Sequence, residues 1–174
     1  LVNWFLEAGV ISREGERWHV LEDRLDQAKV PATLRSVLQA FGPLVDDAWA
    51  ATVAGRLAAP ELLVVLEAFG NERDHAVWQA ILIAIRGLNR LLDDGAAHDA
   101  FQQRVRTLAG PALEELGEPH GDEPDLTGKL RGLLTGALGV LGGDVGVQAR
   151  CRELFDAASA DPTSVDPELT AAAT

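Results

Sequence analysis

The feature that most constrains the fold is a series of helix-length segments, separated by Gly or Pro, that runs from residue 43 to the chain end. The clearest segment spans residues 74–92. Its apolar side chains recur every three or four positions: Trp78, Ile81, Leu82, Ile85, Leu88 and Leu92. This spacing places them on one face of an α-helix. The other predicted helices are 43–54, 60–69, 96–116 (with a possible bend at Gly110-Pro111), 126–141, 145–159 and a short one after Asp166-Pro167. Helices of this length joined by short turns predict an all-α fold of antiparallel helix pairs, an α-solenoid.

The first 40 residues have a different pattern. Residues 2–8 are predicted to form a short apolar helix that ends at Gly9, and two β-prone runs, 10–11 and 18–21, flank a polar stretch at 12–17. This arrangement predicts a small β-hairpin with its turn at 12–17. A further helix is predicted from Pro31 to Phe41, ended by Gly42-Pro43. We therefore divide the chain into a small N-terminal segment, 1–42, and a helical domain, 43–174.

The net charge of the chain indicates which kinds of partner it is not expected to bind. The 174 residues carry a formal net charge of −12, which argues against nucleic acid and against an anionic membrane surface as partners. No run reaches the roughly 18 apolar residues of a membrane helix. No signal peptide is recognisable, so a cytoplasmic location is expected.

The chemistry of common active sites is missing from the sequence. No two of the four histidines stand four residues apart, so there is no His-Glu-x-x-His motif. His120 has Asp122 and Glu123 nearby, but a solvated loop is favoured over a metal contact because zinc needs three or four converging ligands. Cys151 lies in register with apolar residues, which predicts a small buried side chain. Gly128, Gly132 and Gly136 recur every four residues, and we interpret this stripe as a surface for close helix packing. We expect no catalytic and no metal-binding residue in this chain.

A longer pattern resembles a known family. The chain contains Leu-Val-Asp-Asp-Ala-Trp at 44–49, Ala-Gly-Arg-Leu at 54–57 and Asn-Glu-Arg-Asp-His-Ala-Val-Trp at 71–78. In this order and spacing they resemble the opening of the C-terminal helical domain of M1-family zinc aminopeptidases. The loop at 117–125, Leu130-Arg131, Ala149-Arg150, Phe155 and the ending at 161–169 agree with the same family. The resemblance covers about residues 44–174.

The resemblance implies a domain of HEAT-like helix pairs that caps the catalytic cleft and controls peptide access. Zinc belongs to the family's catalytic domain, whose His-Glu-x-x-His and Gly-x-Met-Glu-Asn motifs are absent here, so the resemblance gives this chain no cofactor of its own. The implied partner is that catalytic domain in cis, or a peptide. Asp46, Asp47 and Glu72 are the candidate residues for docking or for facing substrate. The simpler interpretation is that Trp49 belongs to the core and that the two aspartates favour the first helical turn through the helix dipole.

Residues 1–40 are similar to another group, the winged-helix segment that follows the ATPase core of large bacterial signalling ATPases. This similarity rests on residues 1–11, Arg17-Trp18 and 30–40. Two other functions therefore remain open: a stand-alone helical module that binds another protein, and a part of a regulatory fusion protein.

Overall fold

The structure is a computed structural model, and it describes residues 11–14, 17–20 and 41–174. The chain forms two compact units, Leu1–Ala40 and Phe41–Thr174. The helix predicted at 2–8, and residues 31–40 of the helix predicted from Pro31 to Phe41, lie outside the described residues.

The N-terminal unit contains the predicted hairpin. Strand β1, Ile11–Glu14, pairs antiparallel with β2, Arg17–Val20, and Ile11 lies opposite Val20. The prediction of a turn over the whole of 12–17 was wrong, because residues 12–14 and 17 belong to the strands. The ladder continues through this polar stretch because strand pairing uses backbone N–H and C=O groups, which every non-proline residue supplies.

The C-terminal unit is helical, as predicted. Within residues 41–174 the structure has seven helices: α1 Phe41–Val53, α2 Ala59–Glu67, α3 His75–Asn89, α4 Ala96–Leu116, α5 Asp125–Val140, α6 Val145–Ala160 and α7 Pro167–Ala173. The prediction that Gly42-Pro43 ends a helix was wrong, since both residues lie in the first turn of α1. Pro43 is tolerated there because the first N–H groups of a helix have no intrahelical partner. Helix α4 continues through Pro111, which is exposed.

Three aspartates define the starts of helices. The Asp74 carboxylate accepts hydrogen bonds from the backbone N–H groups of Ala76 (2.8 Å) and Val77 (3.2 Å) at the start of α3. Asp144 and Asp166 cap α6 and α7 in the same way. Each carboxylate satisfies backbone donors that the first turn leaves free, and its charge is favoured by the helix dipole.

The helices stack as pairs around one core. Helix α3 packs against α1, α5 and, less extensively, α4, whereas α5 contacts α3, α4, α6 and α7. The buried centre is formed by aliphatic side chains together with Trp78, Phe69 and Phe101. Trp49 is half-buried and packs against this core, and its ring lies so close to Gly87 that any side chain at position 87 would collide with it.

Candidate functional site

The predicted docking residues on α1 are available on the surface. Asp46 and Asp47 are both exposed, and neither makes an ion pair with another residue of the described chain. Because α1 begins at Phe41, its first turn contains no acidic residue. The helix-dipole interpretation of the two aspartates was therefore wrong, since the dipole effect fades within the first turn.

Glu72 has a different environment, in the loop between α2 and α3. Its Oε1 accepts hydrogen bonds from the backbone N–H groups of Arg73 (2.7 Å) and Asp74 (2.8 Å). Its carbonyl oxygen accepts a hydrogen bond from Trp78 Nε1 at 2.8 Å. These contacts hold the loop against α3, so Glu72 has a structural task, and its docking role stays a prediction.

A groove follows α3, α5 and α7 and has a volume of about 640 Å³. We call it the basic groove, because its charged lining consists of Arg86, Arg90, Lys129 and one carboxylate, Glu168. All three cations are exposed, and none has an ion pair or a side-chain hydrogen bond within the described chain. His75, the first residue of α3, also lines the groove, as does Gly136 of α5.

The predicted close packing against the glycine stripe of α5 (Gly128, Gly132 and Gly136) is found at Gly132. A Cβ at Gly132 would lie 2.7 Å from the carbonyl oxygen of Glu168, so α7 approaches α5 as closely as a glycine permits. At Gly136 nothing lies within 4 Å of the same added atom. The missing side chain at Gly136 therefore leaves open space in the basic groove, which was not predicted.

A second cleft, of about 790 Å³, lies between α4, α5, α6 and α7. Arg131 and Thr135 are part of its wall, and both are buried, at 2% and 5% exposure. The charged groups that line it carry both signs: Arg106, Glu114, Glu118, Arg131, Asp144 and Arg150. Because three basic and three acidic residues line the second cleft, it is not expected to favour a ligand of either charge.

The buried Arg131 holds the loop before α5 to the helices around it. Its guanidinium donates to Glu123 Oε1 (2.6 Å) and Oε2 (2.5 Å), and to the carbonyl oxygens of Gly117 (2.7 Å) and Leu116 (3.2 Å). Gly117 ends α4 with φ of +58°, in the left-handed region that favours glycine. A planar guanidinium suits this double contact with a carboxylate, and it satisfies carbonyls that the end of α4 leaves free.

The Arg131–Glu123 pair changes the titration of both groups. The hydrogen bond from Arg131 lowers the pKa of Glu123 below its ordinary 4.5, against the opposing effect of desolvation. The same hydrogen bond raises the pKa of Arg131. Sequence reasoning identified Arg131 only as part of a family pattern. The signal that marks it is a charged residue directly after Leu130 and three residues before Leu134, both of which belong to the apolar pattern of the helix.

The described residues also settle the environments of His120 and Cys151. His120 Nε2 lies 3.8 Å from Glu123 Oε2, and no group of three or more His, Cys, Asp or Glu side chains in the described chain is placed to hold a metal ion. Cys151 is half-buried, so the prediction of a buried side chain was wrong, although the partial burial still raises the pKa of its thiol by desolvation. No single described helix is long and apolar enough to cross a membrane, although α5 and α6, bent by 120°, pass such a test together by length and composition.

Comparison with protein families covers nearly the whole chain. A family described as the ERAP1-like C-terminal domain matches residues 16–174. The match begins earlier than the resemblance noted from residue 44, and it includes strand β2 and the whole helical unit. The sequence patterns at 44–78 lie within the matched residues. The chain therefore belongs to the family of ERAP1-like C-terminal domains.

Proposed function

We propose that this chain is the helical C-terminal domain of an M1 aminopeptidase-like protein, where it caps the catalytic cleft and controls which peptides enter. The observation that carries the proposal is the family match over residues 16–174. A domain that closes a chamber excludes water and limits the length and shape of the bound chain. In this role the domain acts through position and access, and peptide-bond chemistry is supplied by another domain.

The residues of this chain are consistent with a role without catalysis. Its sequence contains neither His-Glu-x-x-His nor Gly-x-Met-Glu-Asn, the motifs that hold zinc and the peptide in the catalytic domains of the family it resembles. The zinc of the proposed parent protein would be held by that catalytic domain, which is also the proposed partner in cis.

The docking surface is proposed to include Asp46 and Asp47. Their carboxylates are exposed and unpaired within the described chain, so they are available to cations of another domain. Charges at the rim of an interface affect association and specificity more than they affect the stability of either partner. Glu72 contributes to the same function by fixing the loop that leads into α3.

The docking is tested by adding the 174-residue chain to an M1 catalytic fragment that lacks its own C-terminal domain, and measuring binding by analytical ultracentrifugation. We expect a complex that the double variant Asp46→Lys/Asp47→Lys weakens by about tenfold, since each lost and reversed rim charge has a small effect. Asp93→Lys/Asp94→Lys is the matched control, because it reverses two adjacent exposed aspartates elsewhere. Equal binding by both double variants would contradict the proposed surface, and no complex at all would count against the capping role.

A further inference from the structure

We propose that the basic groove between α3, α5 and α7 binds an extended acidic segment of a peptide or protein. Charge is unevenly distributed over the helical unit. Residues 41–174 contain 10 basic and 21 acidic residues, so a surface lined by three cations and one carboxylate differs in sign from the unit as a whole. Such a local reversal attracts an anionic partner to one place on an otherwise acidic protein.

The cations of the groove are free to bind. Arg73, Arg104, Arg131 and Arg150 make ion pairs with glutamates, and Arg106 donates to Gly142 and Gln103. The cations of residues 41–174 that have neither an ion pair nor a side-chain hydrogen bond are Arg56, Arg86, Arg90, Lys129 and Arg152. Three of these five line the basic groove.

The helix dipole explains only part of this clustering. Arg86 and Arg90 lie at the C-terminal end of α3, where positive charge is favoured. However, they stand four residues apart on the same face, where like charges repel. Lys129 is the fifth residue of α5, near the positive end of that helix, so the dipole gives no reason for its charge. The helix dipole therefore leaves the grouping of all three cations unexplained, and a bound anionic ligand would offset their repulsion.

The dimensions of the groove favour an extended ligand. The lining positions along α5 run from Lys129 to Leu141, which at 1.5 Å per residue is about 18 Å. An extended chain covers this distance with roughly five residues. The cations lie on two different helices, and a segment with several side-chain carboxylates can supply a separate carboxylate to each helix. Gly136 leaves room in the groove, and the exposed Val140 and half-buried Leu133 offer apolar contacts.

The groove is independent of the capping role, because its binding is measured on this chain alone. The probe is a peptide of alternating Glu and Leu, acetylated and amidated so that only its side chains are charged, and the comparison peptide has Gln in place of Glu. Isothermal titration calorimetry with the 174-residue protein at low and physiological salt is expected to show binding of the Glu peptide that weakens with salt. The Gln peptide is expected to bind at least about tenfold more weakly.

Two kinds of variant locate the binding. Arg86→Glu/Arg90→Glu should weaken binding of the Glu peptide by about tenfold or more, whereas Arg152→Glu, at an exposed unpaired cation outside the groove, should change it far less. Gly136→Leu fills the groove without changing charge, and it should also weaken binding while the helix remains folded, as checked by circular dichroism. If the first double variant does not fold, Gly136→Leu and Lys129→Glu decide the question.

Several results would overturn the proposal. They are no measurable binding of the Glu peptide, equal binding of the Gln peptide, or equal effects of Arg86→Glu/Arg90→Glu and Arg152→Glu. Binding of a Gln peptide only when its terminal carboxylate is free would show that the groove recognises a chain end rather than acidic side chains. Self-association that disappears in Arg86→Glu/Arg90→Glu would show that a second copy of the chain covers the groove.

Discussion

Helices α3 and α5 pack against each other at the centre of the helical unit, but they are buried by different means. Helix α3 buries only apolar side chains, from Val77 to Leu88, along one face. Helix α5 buries glycines, leucines, Thr135 and the charged Arg131 over most of its circumference. Their neighbours differ as well, since α3 contacts α1, α4 and α5, whereas α5 contacts α3, α4, α6 and α7.

The comparison shows two ways of placing a helix in a core. An apolar stripe is enough when one side faces the core, because burial of apolar surface is favourable in any arrangement that fills space. A helix enclosed by four others needs short side chains where a neighbour comes close, as at Gly132. It also needs a partner for every polar group that it buries, as for Arg131.

The largest expected effect is at the centre of α3. Trp78→Ala removes a side chain with 0% exposure and its hydrogen bond to Glu72. We expect the free energy of unfolding to fall by about 3–5 kcal/mol. Urea denaturation followed by circular dichroism measures this loss. A loss of unfolding free energy no larger than that of a typical surface substitution would show that the apolar face of α3 is not the centre of the fold.

The corresponding change in α5 is Arg131→Met, which keeps much of the side-chain volume but leaves the carbonyls of Leu116 and Gly117 without this donor. We expect a loss of about 2 kcal/mol, since unsatisfied buried polar groups cost about 1–3 kcal/mol. The same urea experiment measures it. Unchanged or raised stability would mean that α5, like α3, depends on apolar packing alone.

A pair of glycine substitutions separates the packed side of α5 from its open side. Gly132→Ala should lower the free energy of unfolding by about 1–3 kcal/mol, because the new Cβ meets the backbone of α7. Gly136→Ala should raise it by about 0.5–1 kcal/mol, because the site is open and Ala has the higher helix propensity. Thermal unfolding of both variants is the measurement. Shifts of the same sign would contradict the close approach of α7 at Gly132.

The starts of the two helices differ as well. Asp74→Ala should cost about 1 kcal/mol by removing the N-cap of α3. Helix α5 has no side-chain cap at Pro124, so Asp125→Ala should cost only a few tenths of a kcal/mol through the helix dipole. Chemical denaturation of the two variants compares them directly. A larger loss of stability in Asp125→Ala than in Asp74→Ala would contradict this expectation.

The smallest expected effect is in the pH dependence of stability. Because Arg131 lowers the pKa of Glu123 in the folded chain, this group stabilises the fold above its ordinary pKa of 4.5. The contribution is lost as the pH falls from that value through the lower folded pKa. The stability difference between the natural chain and Glu123→Gln should therefore be constant near neutral pH and shrink in acid. A difference that grows in acid would contradict the assigned direction.

The sequence was sufficient to predict α3 but only part of α5. The repeat from Trp78 to Leu88 predicts a helix with one buried face, and the structure confirms it, although the helix ends at Asn89 and not at the predicted Leu92. The bounds of α5 were predicted to within one residue, but the burial of Arg131 was not, because its partners Glu123, Leu116 and Gly117 belong to a loop and to another helix. Likewise, the cations of the basic groove come from two helices whose proximity is a property of the packing. The aspartates of α1 show the same limit, since their interpretation depended on where that helix begins.

The central claim is that this domain controls the access of peptides to a catalytic site. The most direct measurement compares the hydrolysis of a short and a long peptide by an M1 catalytic fragment that lacks its C-terminal domain, with and without a saturating amount of this chain. The account predicts that the chain changes the ratio of the two kcat/KM values, and that the chain alone hydrolyses neither peptide. An unchanged ratio, with the complex shown to form, would contradict the claim.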